Sequence, residues 1–176
     1  SGIKPPCTIL YAGTIDEDCA AGNFETSDVP SYACTGWVNG GRFAINASGD
    51  AFLVDFPGNY QTASTLHKLS AAGQWEGSVN TGLPKGAVSI VTSPNGKMYV
   101  QGFQWVNNNG VTTVHELDGN SGMLANAAAF VGTIGNYPSM VGVDASEALY
   151  FVVDKKLYRS AAGGTAQLLL DVSYGP

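Results

Sequence analysis

His67 and His115 are the only two imidazoles in the 176-residue chain, and imidazole is the usual general base or metal ligand near neutral pH. They recur in matching contexts, Leu66-His67-Lys68-Leu69 and Val114-His115-Glu116-Leu117. A third such context, Leu157-Tyr158-Arg159, carries tyrosine instead. A histidine that recurs with the scaffold reads as a strand-surface residue, and a metal pair would need both brought together. Asp16, Asp18, Asn23 and Glu25 gather oxygen ligands of the sort a hard cation such as calcium takes. Their spacing departs from an EF-hand, with glycine at the seventh loop position and Ser27 at the twelfth. The ordinary reading is a solvated acidic turn. Asp16, Asp18 and Glu25 stand as the calcium candidates, and no other cofactor is expected. The sequence holds no G-x-S-x-G, and Gly163-Gly164 lacks the lysine of a phosphate loop. The acids are scattered over turns, so no carboxylate pair for glycoside hydrolysis can be singled out, and no catalytic residue is named.

Aromatic side chains make the better case for binding. Trp37, Trp75, Trp105, Tyr60 and Phe103 are expected in or near loops, and Gln101-Gly102-Phe103-Gln104-Trp105 leads into a loop of Asn107-Asn108-Asn109-Gly110. Flat rings beside amides suit a sugar or a protein surface, where the ring stacks and the amide hydrogen-bonds. The binding candidates are Trp105, Phe103, Tyr60 and Trp75; the ordinary alternative is that each tryptophan packs between repeats.

The three cysteines, Cys7, Cys19 and Cys34, lie in the first fifth of the chain, a stretch poor in apolar residues. A local staple is expected. Cys19–Cys34 is the favoured loop, with Cys7–Cys34 and Cys7–Cys19 also open, because spacing does not fix connectivity. Cys7 would then be unpaired or bonded to another chain. Disulfides point to an extracellular or cell-surface location. No C-x-x-C is present to suggest zinc or redox chemistry. Asn46-Ala47-Ser48 is a glycosylation sequon.

Composition narrows the partners. The net charge is −6, with only eight Lys and Arg, so the basic footprint of a nucleic-acid binder is missing. No apolar run approaches the roughly 18 residues of a membrane-spanning helix. Only 12% of residues are charged and 23 are glycine, while Val, Thr, Tyr and Phe alternate with polar residues. That balance favours strands and turns.

The elements that must carry these residues repeat. Val143–Ser160 reads as two antiparallel strands joined by a tight turn at Val153-Asp154-Lys155. Related copies are Phe43–Val54 and Ser89–Val100. Phe52, Tyr99 and Tyr150 correspond at spacings of 47 and 51; Leu66, Val114 and Leu157 correspond at 48 and 43. Each unit reads as four short strands, with Ser-Gly-Asp and Asn-Gly-Lys as two-residue hairpin turns. The organisation expected is an irregular segment, 1–41, followed by repeats at about 42–87, 88–138 and 139–176.

These copies resemble the four-stranded blades of β-propellers over roughly 42–170, and the third, with Asp144-Ala145 and Leu149-Tyr150-Phe151, resembles a haemopexin-type blade. The other two lack that match, so no binding residue is carried over. The resemblance implies an all-β chain of repeat-built antiparallel sheets, with a disulfide-stapled N-terminal segment. Three blades do not close a ring, so the segment 1–41 supplies a fourth, another chain completes it, or the sheets stay open. Open edges invite self-association or another protein chain. The function expected is an extracellular structural or adhesive module that presents a surface and assembles, as in a filament subunit. A glycan-binding, lectin-like propeller is the alternative, and a propeller-scaffold hydrolase is a third reading.

Overall fold

The computed structural model describes residues 43–55, 62–80, 82–161 and 163–172. They form twelve strands: β1 (Phe43–Ile45), β2 (Ala51–Asp55), β3 (Thr65–Leu69), β4 (Trp75–Asn80), β5 (Ala87–Thr92), β6 (Met98–Val106), β7 (Asn109–Leu117), β8 (Leu124–Gly132), β9 (Ser139–Val143), β10 (Leu149–Val153), β11 (Lys156–Ser160) and β12 (Gln167–Asp171). The strands make three four-stranded antiparallel sheets, β1–β4, β5–β8 and β9–β12, each a simple meander in chain order. The all-β, repeat-built reading therefore holds. The cysteines, the acidic calcium candidates Asp16, Asp18 and Glu25, and Tyr60 lie outside the described residues, so the staple and the cation site stay expectations.

Turn chemistry sets the registers. The pair Val153↔Lys156 closes a two-residue turn, with Asp154 and Lys155 at φ of 48° and 63°. This is type I′ geometry, at the tight turn expected around Val153-Asp154-Lys155. The first turns of the first two sheets differ from expectation, being three-residue loops instead of two-residue ones, and the third sheet, for which no length was expected, has the same loop. Asn46 N–H donates to Asp50 O at 2.9 Å, and Gly49 N–H donates to Asn46 O at 3.0 Å. The same two bonds recur from Ser93 to Lys97 and from Asp144 to Ala148. The last loop residue is left-handed each time: Gly49, Gly96 and Glu147. Side chains brace two of these loops. Asn46 Oδ1 and Asp144 Oδ1 each accept from backbone N–H groups two and four residues on. Asn46 is buried and its amide donates to Gly119 O at 2.6 Å, so this asparagine is a structural residue in the folded chain.

The repeats align row by row. Val54↔Leu66↔Asn80, Gln101↔Val114↔Phe130 and Val152↔Leu157↔Leu170 occupy the same register position in the three sheets. The neighbouring rows run Phe43↔Leu53↔His67, Ile90↔Val100↔His115 and Met140↔Phe151↔Tyr158 on the opposite faces. Alternation along each strand thus gives every sheet two distinct faces.

The middle sheet is sandwiched. One core holds Phe52, Val54 and Leu66 of the first sheet against Ile90, Met98 and Val100 of the second. The other holds Tyr99, Val114 and Phe130 of the second sheet against Met140, Leu149 and Phe151 of the third. β5 packs on both β1 and β9, so the sheets converge at their first strands. The whole arrangement is compatible with propeller-like blades.

Candidate functional site

β6 and β7 are nine residues each, and their register runs unbroken from Met98↔Leu117 to Val106↔Asn109. The expected Asn-rich loop is a two-residue turn, Asn107-Asn108, at φ of 49° and 61°. Asn109 and Gly110 belong to β7. Asparagine tolerates this conformation better than most residues, which explains the tandem. Phe103 and Trp105, expected in loops, sit on β6 opposite Thr112 and Gly110.

Three aromatic rings meet at the end of this hairpin. Phe103 is fully buried, Trp105 is 37% exposed and Tyr137, from the segment before β9, is 54% exposed. Phe103 and Trp105 meet edge to face at 5.6 Å, Phe103 and Tyr137 at 5.1 Å, and Trp105 and Tyr137 edge to face at 5.9 Å. These separations are those of attractive aromatic pairs. Gly110 makes room for the cluster: a Cβ there would lie 2.7 Å from Phe103 Cζ. Tyr137 holds φ of 54°, an uncommon conformation for tyrosine. Phe103 is the floor, and Trp105 and Tyr137 offer the outer surface. Val106, 41% exposed, lies on the other face of β6, and the Asn107-Asn108 turn closes the hairpin just beyond.

The other candidates fall elsewhere. Trp75 begins β4 on the first sheet and stacks on His67, with centroids 5.4 Å apart. His67 is not a strand-surface residue: it is 7% exposed, and its Nδ1 lies 3.3 Å from Ser78 Oγ. His115 is half-buried on the second sheet, with its pKa lowered by burial. Trp75 and Trp105 therefore belong to separate surfaces. Gln101, which looked like a ligand-facing amide, is fully buried. It accepts from Met140 N–H at 2.5 Å and donates to Pro138 O at 2.6 Å, tying the second sheet to the third.

Polar networks follow the first turns. The Tyr99 hydroxyl donates to the Glu147 carboxylate, and Asn95 donates to the same carboxylate at 2.7 Å. Burial raises the Tyr99 pKa, and the bond to Glu147 raises it further. Burial also pushes the Glu147 carboxyl up, but the bonds from Tyr99 and Asn95 outweigh it and hold the pKa below its ordinary value. On the third sheet, Asp144 accepts from Ser146, Ala148, Tyr150 and Arg159, which places its carboxyl well below the usual range. Each carboxylate has its hydrogen-bond donors within the fold, which describes bracing better than proton transfer. An open groove of about 350 Å³ runs between the first turns of the first two sheets, beside Asn46 and Asn95. Among the described residues, no group of three or more His, Cys, Asp or Glu is placed to hold a metal ion. No helix among them is long and apolar enough to cross a membrane.

No protein-family model matches the chain, and no curated protein matches it either. Among solved structures, it is similar to selenomethionine-substituted virginiamycin B lyase from Staphylococcus aureus, with a TM-score of 0.41 and 12% identity. The similarity covers 76% of this chain and 55% of that one, so the chain spans about half the length of that structure.

The sequence named Phe103 and Trp105 as aromatics beside amides, but not Tyr137. Tyr137-Pro138 gave no signal for it, since a proline ordinarily biases the preceding residue to extended backbone and Tyr137 holds a positive φ.

Proposed function

We propose that this chain is an extracellular, non-enzymatic module of propeller-like blades that works by presenting a recognition surface, with Trp105 and Tyr137 as its contact point. The observation that carries the reading is the aromatic cluster itself: two part-exposed rings braced on a buried one, on a rigid paired hairpin. Preorganised aromatic surface binds at low entropic cost, because few side-chain rotations remain to be frozen. Tryptophan and tyrosine are also enriched among residues that dominate protein–protein affinity. The favoured partner is an extracellular protein, which gives the module a structural or adhesive role.

A second reading, a glycan as partner, is favoured by the Asn107-Asn108 turn that closes the hairpin carrying Trp105. Amides next to a stacking ring are a common way to orient a sugar. Binding of the purified chain to arrayed extracellular-matrix proteins and arrayed glycans tests both. Trp105→Ala is expected to weaken whichever binding is seen roughly tenfold or more while the chain stays folded, with a modest loss of stability from the two aromatic contacts. Binding that survives the substitution at full strength would remove this surface from the account.

A further inference from the structure

The row Val152–Leu157–Leu170 of the third sheet is the register equivalent of Val54–Leu66–Asn80 and Gln101–Val114–Phe130. In the first two sheets that row is the contact with the next sheet. Val54 and Leu66 are buried in the first intersheet core, and Asn80 donates to Gly122 O in the second sheet. Val114 and Phe130 are buried in the second core, and Gln101 bonds to the third sheet. The third sheet carries the same face with no described sheet packed on it: Val152 is 40% exposed, Leu170 53%, and Leu157 between them is half-buried. Val141 on β9 and Val172 just after β12 are also more than half exposed. A face this apolar is unusual for a surface that meets only water.

At the other end the complementary face is open along its first strand. Ile90 and Val100 of the second sheet, and Met140 and Phe151 of the third, form the surface that receives the preceding sheet, and all four are buried. The first sheet has Phe43 in that row, 52% exposed, with Ile45 beside it at 46%, while Leu53 is half-buried and His67 is 7% exposed. The described residues thus repeat one sheet-on-sheet interface twice and leave the outgoing face of the third sheet and the β1 side of the first sheet without a described sheet against them.

We propose that the open face of the third sheet seats the first sheet of a second copy of this chain, head to tail. The contact continues the two intersheet interfaces with a third of the same kind. Such a heterologous contact closes into a ring if the rotation allows and otherwise runs on as a filament. This proposal rests on other residues than Trp105 and Tyr137, and either can fail without the other.

Sedimentation equilibrium on the full chain, over a range of concentrations, tests the contact. Four samples are needed: the unmodified chain, Val152→Glu/Leu170→Glu, Phe43→Glu, and an equal mixture of the two variants. The unmodified chain is expected to exceed monomer mass, and each variant alone to run as a monomer with an unaltered circular dichroism spectrum. The mixture is expected to form two-chain species, because each variant keeps the half-interface the other lacks. If the double variant does not fold, Leu170→Ser repeats the test with a smaller change. A non-reducing gel identifies dimers linked through cysteine. A chain that stays monomeric throughout has its face covered in some other way, which overturns the proposal. So does an oligomer indifferent to the substitutions, a dimer that is only disulfide-linked, or a mixture that stays monomeric.

Discussion

Tyr99 and Glu147 lie 48 residues apart and on different sheets, and the tyrosine hydroxyl donates to the glutamate carboxylate. Glu147 occupies the left-handed turn position that Gly49 and Gly96 hold in the other two sheets, with φ of 62°. A residue with a Cβ costs roughly 1–2 kcal/mol there. The bonds from Tyr99 and Asn95 offset that cost and fasten the third sheet to the second. Tyr99→Phe is expected to lower unfolding free energy by about 1–3 kcal/mol, the scale for a hydrogen bond to a charged group. Urea unfolding measures it, and a change under a few tenths would show that the bond holds nothing together.

The same pair sets a pH window. The folded chain holds the Glu147 pKa below its ordinary 4.5, so its contribution is present above that value and lost as pH falls through the folded pKa. Tyr99 is raised above 10.0, so its contribution is present below that value and lost as pH rises through the folded pKa. The stability difference between the unmodified chain and Tyr99→Phe should therefore be greatest near neutral pH and shrink on both sides. Unfolding midpoints measured from acid to alkali check this. A difference that is flat with pH would contradict it.

Gln101 supplies both a donor and an acceptor to the first strand of the third sheet. Gln101→Leu keeps much of the volume but strands the Met140 N–H and the Pro138 carbonyl away from water. Each stranded group costs about 1–3 kcal/mol. The variant is expected to unfold at clearly lower denaturant, with hydrogen exchange quickening first in β9. Near-neutral stability would mean that water reaches those groups.

Gly122 has φ of 72°, and a Cβ there would lie 2.7 Å from Leu66 Cδ2 and 3.2 Å from Phe52 Cε1. Backbone strain and overlap with the first core act together. Gly122→Ala is expected to cost about 1–3 kcal/mol, the usual scale of overpacking. Gly142→Ala is the control, since a Cβ there meets nothing within 4 Å. Thermal unfolding of the two variants should separate them clearly.

Much of the scaffold was legible in the sequence. Alternating apolar residues and turn dipeptides such as Asp154-Lys155 are local signals, and sheets built from sequential hairpins keep such signals local. The first turns of the first two sheets were read one residue short because Gly49 and Gly96 mark the left-handed residue of the loop but not how many residues precede it. His67 and Gln101 were assigned outward-facing roles because polar residues on strands usually meet water. In a stack of sheets the second face is an interface too, and there a polar side chain needs a partner, as Gln101 has in Met140 and Pro138. The meeting of Phe103, Trp105 and Tyr137 depends on a turn in the segment before β9 that no period in the sequence records.

The central claim is that Trp105 and Tyr137 form the contact surface, and direct binding tests it best. Labelled full chain, Trp105→Ala and Tyr137→Ala would be applied at equal concentration to one array of extracellular-matrix proteins and glycans. Selective binding by the unmodified chain, weakened roughly tenfold or more by each substitution, as for a residue worth at least 1.4 kcal/mol, is the expected result. Selective binding that neither substitution changes, or no binding to any arrayed molecule, would contradict it.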